Sequence, residues 1–307
     1  MEQVAHKKRK KWPWIIAIIV LGIAGLALSV YLNLTSTLKG MYQPIDRELS
    51  DKREESIIFE KKDPFSVLIL GVDEREGDKG RSDTMIVMTV NPTLKSTKMV
   101  SIPRDTYTEI VGHGTQDKLN HAFAFGGIQM SLESVESLLD LPIDYVAEVN
   151  MEGFQDVVDA VGGINVSNTF EFTQDSFHFP AGDIKLTGKE ALSYVRMRKE
   201  DPSGDWGRQD RQRQVIQGVL QQGKSVNSLL NYRSIFNALG DNVKTNMTFD
   251  EMVDVQKNYR DAADKIEQLH FEKGTGKRMN GGIWYYMMDE EELQEVAGAL
   301  KQHLELK

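Results

Sequence analysis

Two aspartates and a group of arginines are the residues of this chain whose types and spacing could do chemistry. Asp73 and Asp83 bracket a charged loop, Gly71-Val72-Asp73-Glu74-Arg75 through Arg81-Ser82-Asp83, that follows an apolar run. In open α/β sheets, ligands gather where loops leave the carboxyl ends of strands. Two carboxylates converging there could give Mg²⁺ hard oxygen ligands, with water or phosphate completing its shell. A solvated, charged loop is the other reading of the same spacing. Arg104, in Ser101-Ile102-Pro103-Arg104-Asp105, also stands just past an apolar run, and it gains meaning only beside other cations at that sheet edge. Arg196, Arg198, Arg208, Arg211 and Arg213 supply such cations within one stretch that holds a single lysine, Lys199. Guanidinium presents paired donors that match phosphate oxygens and stays charged at any working pH. Salt bridges to Glu200, Asp201, Asp205 and Asp210 are the competing explanation.

Spacing constrains how these side chains are carried. Arg196 and Arg198 are two apart, so they share a face on an extended segment and diverge on a helix. The helix opened by the capping box Thr187-Gly188-Lys189-Glu190 is therefore expected to end near Tyr194. Arg208 and Gln212, four apart, share one face of the next helix. His121, in Lys118-Leu119-Asn120-His121, is read as a structural, hydrogen-bonded histidine, and the run Phe123 to Gly127 as core. There is no Ser-His-Asp signature, Walker loop, HExxH motif or Cys/His grouping.

The elements that must position these residues follow from hydrophobic periodicity. Phe65 to Val72 is a nearly continuous apolar run, as expected of a strand buried on both faces. Met85–Val90, Met99–Ile102, Tyr145–Val149 and Ile283–Met288 read as further strands. Ile128–Leu139, Phe154–Val161 and Asp210–Gln222 read as helices, the last with Val215, Ile216, Val219 and Leu220 as its buried stripe. Thr248 to Glu251 repeats the capping box, and Asp289 caps a terminal helix. Strands and helices are interspersed, which predicts an α/β fold with a layered α-β-α arrangement around a central mixed sheet.

Charge is unevenly spread. The formal net charge is -9, yet Lys7, Lys8, Arg9, Lys10 and Lys11 against Glu2 give the first eleven residues +4, leaving -13 for the rest. So acidic a remainder excludes general nucleic-acid affinity, which needs a broad basic face. The absence of cysteine excludes disulfides and thiol chemistry. Trp14 to Leu34 carries no charge and is long enough to span a bilayer. Its basic flank keeps the start cytoplasmic and puts the remainder outside. Residues 1–11 are thus expected as a cytoplasmic tail, 12–34 as a transmembrane anchor, 35–62 as a linker and 63–307 as an extracytoplasmic domain. A cleaved signal peptide is the rival, since Ala27-Leu28-Ser29 loosely resembles a cleavage site, but the apolar run continues past it.

The segments DPFSVLILGVDEREGDKGRSDTM, MVSIPRDTY, DKLNHAFAFGG, VDAVGGINV and LTGKEALSYVRMRKEDPSGDWGRQDRQRQ, behind an N-terminal anchor, resemble the LytR-CpsA-Psr family of Gram-positive envelope proteins. The resemblance runs from about Pro64 past Gln217, in the family's order. It implies a phosphotransferase that moves an anionic glycopolymer, such as wall teichoic acid, from an undecaprenyl-diphosphate carrier to peptidoglycan. The bond formed would be a phosphodiester to a sugar hydroxyl, typically the 6-hydroxyl of N-acetylmuramic acid. The resemblance places metal ligands for Mg²⁺, or Mn²⁺ in its stead, on Asp73 and Asp83. It places pyrophosphate-binding arginines on Arg81, Arg104, Arg196 and Arg198, with Arg208, Gln212 and Asp205 lining the same site. It also implies an apolar cavity for the polyprenyl tail, whose lining the sequence does not assign. Asp73 is a candidate base for the acceptor hydroxyl, but a tight metal ligand is a poor base, so that role stays open. A non-catalytic binder of lipid-linked polymer and a pyrophosphatase using water are the alternatives. A transcriptional regulator is disfavoured by a cytoplasmic tail too short for a helix-turn-helix.

Overall fold

The computed structural model describes residues 41–306 except 48, 74–79, 199, 225–238 and 280. The expected basic tail and transmembrane anchor lie outside the described residues. Among the described residues no helix is long and apolar enough to cross a membrane.

In chain order the elements are β1 (Phe65–Val72), β2 (Ser82–Asn91), β3 (Ser96–Ser101), β4 (Tyr107–Ile110), β5 (Thr115–Lys118), α1 (His121–Leu139), β6 (Tyr145–Val149) and α2 (Met151–Ala160). There follow β7 (Ile164–Asn168), β8 (Phe172–Gln174), β9 (Phe177–Phe179), β10 (Gly182–Leu186), α3 (Gly188–Arg196) and α4 (Asp205–Gly223). The chain closes with β11 (Val243–Thr245), α5 (Phe249–Asn258), β12 (Lys265–Leu269), β13 (Thr275–Met279), β14 (Ile283–Met287) and α6 (Glu290–His303). Six strands form one sheet in the order β11-β6-β1-β2-β3-β12. β1 pairs antiparallel with β2 and parallel with β6, and β12 pairs parallel with β3, so the central sheet is mixed as expected.

The period-2 alternation of strands divides the apolar side chains between two faces. Leu68, Leu70 and Val72 of β1 and Met85 and Val87 of β2 join Leu132, Val135 and Leu139 of α1 and Val296 and Leu300 of α6 in one core. Ile69, Ile86, Met88 and Met99 point the other way, toward Ile216 and Leu220 of α4. Helices therefore cover both faces, which is the layered arrangement the sequence predicts. A satellite core under α2, α3 and β7–β10 holds Ile164, Phe172, Phe179, Tyr194 and Val215.

The expected linker is corrected from Met41 onward, because that part of the chain is bound to the domain. Gln43 N–H donates to the Thr245 carbonyl, and Arg47 makes bonds of 2.5 and 2.9 Å to the Glu136 carboxylate. Arg53 spans both Asp144 oxygens at 2.7 Å, and Phe59 is buried among Phe65, Tyr145 and Tyr259. The segment is highly charged, which hides these contacts in a reading based on apolar period alone. Its arginines find buried acids far along the chain.

Candidate active site

The site grows from the carboxyl end of β1 and the amino end of the antiparallel β2. Asp73 follows the last residue of β1, and Asp83 is the second residue of β2 rather than part of the loop. A register shift at Gly71/Val72 brings Val72 opposite Ser82 and leaves the two aspartates at one edge. Gly71 permits this pairing, since a Cβ there would meet the Thr84 Cβ at 2.9 Å. Ser101 ends β3 next to β2, and Arg104 follows three residues later. Its Nη1 lies 2.8 Å from Asp83 Oδ1. Burial acts against the Arg104 charge, but Asp83, Asp105 and Asp205 outweigh it and hold the guanidinium above its ordinary pKa.

α3 and α4 bring the second group of cations. The Thr187 box forms, with Thr187 N–H donating to the Glu190 carboxylate at 2.8 Å. The helix runs two residues further than expected, to Arg196, and Met197 is then extended at φ −61°, ψ 132°. Met197 is buried, whereas Arg196 and Arg198 on either side of it are exposed. Both therefore emerge on one side, as their spacing predicts. Arg208 and Gln212 also share a face, and all four line one cavity. Gln212 Nε2 donates to Thr84 Oγ1 at 2.9 Å, which ties α4 to β2.

Of the five clustered arginines, only three reach the cavity. Arg211 and Arg213 are buried at 4% and 2% exposure, a correction to reading the whole group as an anion site. Arg211 donates to the Tyr194 and Met197 carbonyls and to Asp201 at 2.5 Å. It thereby fixes the turn that presents Arg196 and Arg198. Gly207 lets Asp201 close in, since a Cβ there would fall 1.9 Å from its carboxylate. Arg213 donates to Ser101 Oγ at 2.8 Å and pairs with Asp210, and burial lowers its pKa despite that acid. Asp205 lines neither cavity described here. It holds Arg208 at 2.9 Å and Arg198 at 3.6 Å, two of the arginines that line the cavity.

Two cavities meet at the aspartates. One, about 500 Å³, has Asp73, Asp83, Arg196, Arg198, Arg208, Thr84, Asn150 and Gln212 as its polar lining and is mostly apolar elsewhere. Ile69 and Met88 of the sheet, Phe154 and Val157 of α2, Leu192 and Val195 of α3, and Val215, Ile216, Val219 and Leu220 of α4 form much of its apolar wall. The expected buried stripe of α4 is thus in part a cavity wall, which hydrophobic period cannot distinguish from core. The second cavity, about 350 Å³, is polar and is lined by Asp73, Arg81, Asp83, Arg104, Asp105, Lys118, Asn120 and His121. Sequence reasoning passed over Asn120, Lys118 and the cavity-lining place of His121. The signal that could have found them is the segment DKLNHAFAFGG, which holds all three and is among those that carry the family resemblance. Phe123 is core, but Phe125 is 42% exposed.

The donor set suits a small hard cation. Asp73 and Asp83 line the same space, and no group of three or more His, Cys, Asp or Glu side chains is gathered among the described residues. An ion there would rely on phosphate and water for its remaining ligands, as Mg²⁺ commonly does. An apolar chamber with a cationic and carboxylate mouth is shaped for an amphiphile whose head carries several negative charges.

Residues 28–302 match the model of the LytR_cpsA_psr family. The chain is 54% identical, over 95% of its length and 94% of the relative's, to the Bacillus subtilis protein named polyisoprenyl-teichoic acid–peptidoglycan teichoic acid transferase TagU. A crystal structure of B. subtilis TagU superposes with a TM-score of 0.66 at 53% identity, covering 80% of this chain and 99% of that one. A structure described as TagT bound to LI-WTA superposes with a TM-score of 0.73 at 32% identity, covering 86% and 100%. With the motifs, the fold and the match over nearly the whole described domain in agreement, the chain belongs to the LytR_cpsA_psr family.

Proposed function

We propose that this chain transfers an anionic cell-wall glycopolymer, wall teichoic acid or a close analogue, from an undecaprenyl-diphosphate carrier to a peptidoglycan hydroxyl. The observation that carries this reading is the junction of the two cavities: an apolar chamber and an open polar one meet at Asp73 and Asp83. The names of the relatives point to the same donor and acceptor.

The polyprenyl tail enters between α2, α3, α4 and the sheet, which sets the pyrophosphate among the arginines at the mouth. Phosphoryl transfer depends on positioning and charge neutralisation more than on covalent chemistry. Arg196, Arg198 and Arg208 grip the phosphate next to the tail and stabilise the departing polyprenyl phosphate, while Arg81 and Arg104 reach the other phosphate from the polar side. Asp73 and Asp83 would hold Mg²⁺, or Mn²⁺, which supplies charge neutralisation at the phosphate oxygens. Asp83 also pairs with Arg104 at 2.8 Å, so its carboxylate would serve both the ion and that guanidinium. Nothing in the reaction requires ATP, because the bond that breaks is the carrier's own pyrophosphate. We assign residues 12–34 as a membrane anchor that places the domain outside the cytoplasm, at the surface where the carrier lies.

The test is to incubate the purified full chain in detergent with a lipid-linked teichoic acid precursor, peptidoglycan oligomers and Mg²⁺, and to measure the conjugate by mass. Wild-type protein should form it, and Asp83→Ala and Arg104→Ala should each lose on the order of 100- to 1,000-fold in rate with the fold retained. Tight precursor binding with no conjugate from any anionic precursor would mark a carrier-binding protein instead. Free polymer phosphate without conjugate would mark a pyrophosphatase.

A further inference from the structure

The polar cavity contains a histidine that the reading above leaves without a task. His121 is the first residue of α1, and its Nδ1 lies 2.7 Å from Asp117 Oδ2 on β5. An ionised carboxylate has no proton to give, so Nδ1 carries the hydrogen and Nε2 is the nitrogen at which the ring can take one up. Asp117 is itself held, its Oδ1 accepting from Lys118 N–H at 2.8 Å and from the Tyr285 hydroxyl at 3.3 Å. Burial raises its pKa, but the hydrogen bonds from His121 and Lys118 outweigh that and keep it below the usual carboxylate range. Asp117 is thus kept as the anion that orients the ring. Phe125 meets the ring edge-on at 6.0 Å and stacks on His113 at 4.1 Å, which limits how far the ring can turn.

The neighbouring Asn120 supplies a second, independent sign of a ligand. It is 5% exposed, and its Oδ1 has no hydrogen-bond partner among the described residues. Buried polar atoms are almost always paired. An acceptor left open beside His121 in the lining of a cavity fits a hydroxyl or amide N–H of a bound sugar. The carboxylates across the same cavity already have cationic partners: Asp83 faces Arg104 at 2.8 Å and Asp105 faces Lys118 at 2.6 Å. Asp73 is assigned to the metal.

We propose that His121, oriented by Asp117, is the general base that deprotonates the acceptor sugar hydroxyl, and that Asn120 helps seat that sugar. This rests on the transferase reading. The hydroxyl oxygen forms a bond to the polymer-bearing phosphorus as its proton passes to His121 Nε2. The bond from that phosphorus to the bridging pyrophosphate oxygen breaks, and polyprenyl phosphate leaves with the electron pair among the arginines. The imidazolium then returns its proton to water. The charged groups facing His121 are Asp117 and Lys118 from β5, Asp105 and Arg104 from the β3–β4 turn, and Asp73, Arg81 and Asp83 across the cavity.

The experiment compares the full-length wild type with His121→Gln and Asp117→Asn in the conjugate assay across pH, alongside titration of lipid-linked precursor binding. His121→Gln should bind precursor within about twofold of wild type while kcat falls on the order of 100-fold or more. It should also lose the acidic limb of the kcat profile. Asp117→Asn should lose less and move that limb to lower pH, because removing the carboxylate makes the imidazole easier to deprotonate. A His121→Gln enzyme within about threefold of wild type, or one keeping the same acidic limb, overturns the assignment alone. Wild-type protein that forms no conjugate overturns the transferase reading, and this one with it. Should His121→Gln not fold, the shift of the limb in Asp117→Asn decides the matter.

Discussion

On one face of the central sheet, Leu68, Leu70, Met85 and Val87 meet α1 and α6, and Leu132, Val135 and Leu300 there are fully buried. On the other face, Ile69 and Met88 from the same strands look into about 500 Å³ of open space under α2, α3 and α4. The residue types hardly differ, since both faces are aliphatic and methionine-rich. What differs is whether a helix closes down on them. A void forfeits the dispersion contacts its lining would otherwise make, so the helices over the hollow face need other ties. Buried polar clamps serve: Arg211 grips the end of α3 through two carbonyls and Asp201, and Arg213 ties α4 to Ser101 and Gln268. The packed face holds the domain together, and the hollow face is kept open for a ligand.

The contrast can be broken most sharply by filling the void. Val219→Trp puts an indole where the polyprenyl tail is proposed to lie. Transfer should fall on the order of 100-fold, while the melting temperature stays level or rises, because space is filled rather than emptied. Retention of full activity in the mass assay would place the tail elsewhere. On the packed face the opposite holds. Leu132→Ala leaves a cavity among fully buried neighbours and should cost about 2–5 kcal/mol in urea unfolding, with the rate per folded molecule unchanged. A similar loss of rate in that variant would mean that the two faces are not independent.

The smallest effect concerns a polar plug at the far end of the packed face. His303 of α6 bonds Thr89 Oγ1 at 2.8 Å and Ser96 Oγ at 2.9 Å. Burial, aided by Lys98, pushes its pKa down to about 4. An unfolded histidine titrates near about 6.5, so between those values the unfolded chain binds the extra proton. The stability His303 contributes is present above about pH 6.5 and is lost as pH falls toward about 4. Thermal unfolding across that window should show the decline, and His303→Gln should flatten it.

Much of this architecture is legible in the sequence, and the misses have physical causes. β1 and β6 fall on Phe65–Val72 and Tyr145–Val149 as periodicity predicts. α1 starts at His121, well before the expected Ile128, because Gly126 and Gly127 leave helical geometry, the latter at φ +63°, and interrupt the stripe. α4 begins at Asp205, ahead of the expected Asp210, because its first turn is a polar run whose Arg208 faces the cavity rather than the core. The arginine cluster is a harder case. Arg208, Arg211 and Arg213 are the same residue type within one helix, yet the first reaches the cavity and the others hold the fold. Composition and spacing do not separate them, because their partners, Tyr194, Met197 and Ser101, come from other elements.

The sequence by itself determined five of the strands (β1, β2, β3, β6 and β14), the helix caps, the acidic character of the domain, the shared face of Arg196 and Arg198, and the motifs that identify the family. These are local properties, set by side-chain period, backbone preference and charge within a few residues. Tertiary structure alone decided which apolar stripe faces a void, which arginines are spent on carbonyls and buried acids, and that the charged segment after Met41 belongs to the domain. It also placed His121, Asp117 and Asn120 in a cavity shared with Asp73 and Asp83. Each of those facts depends on what another part of the chain does to the space around a residue, and no window along the sequence contains that information.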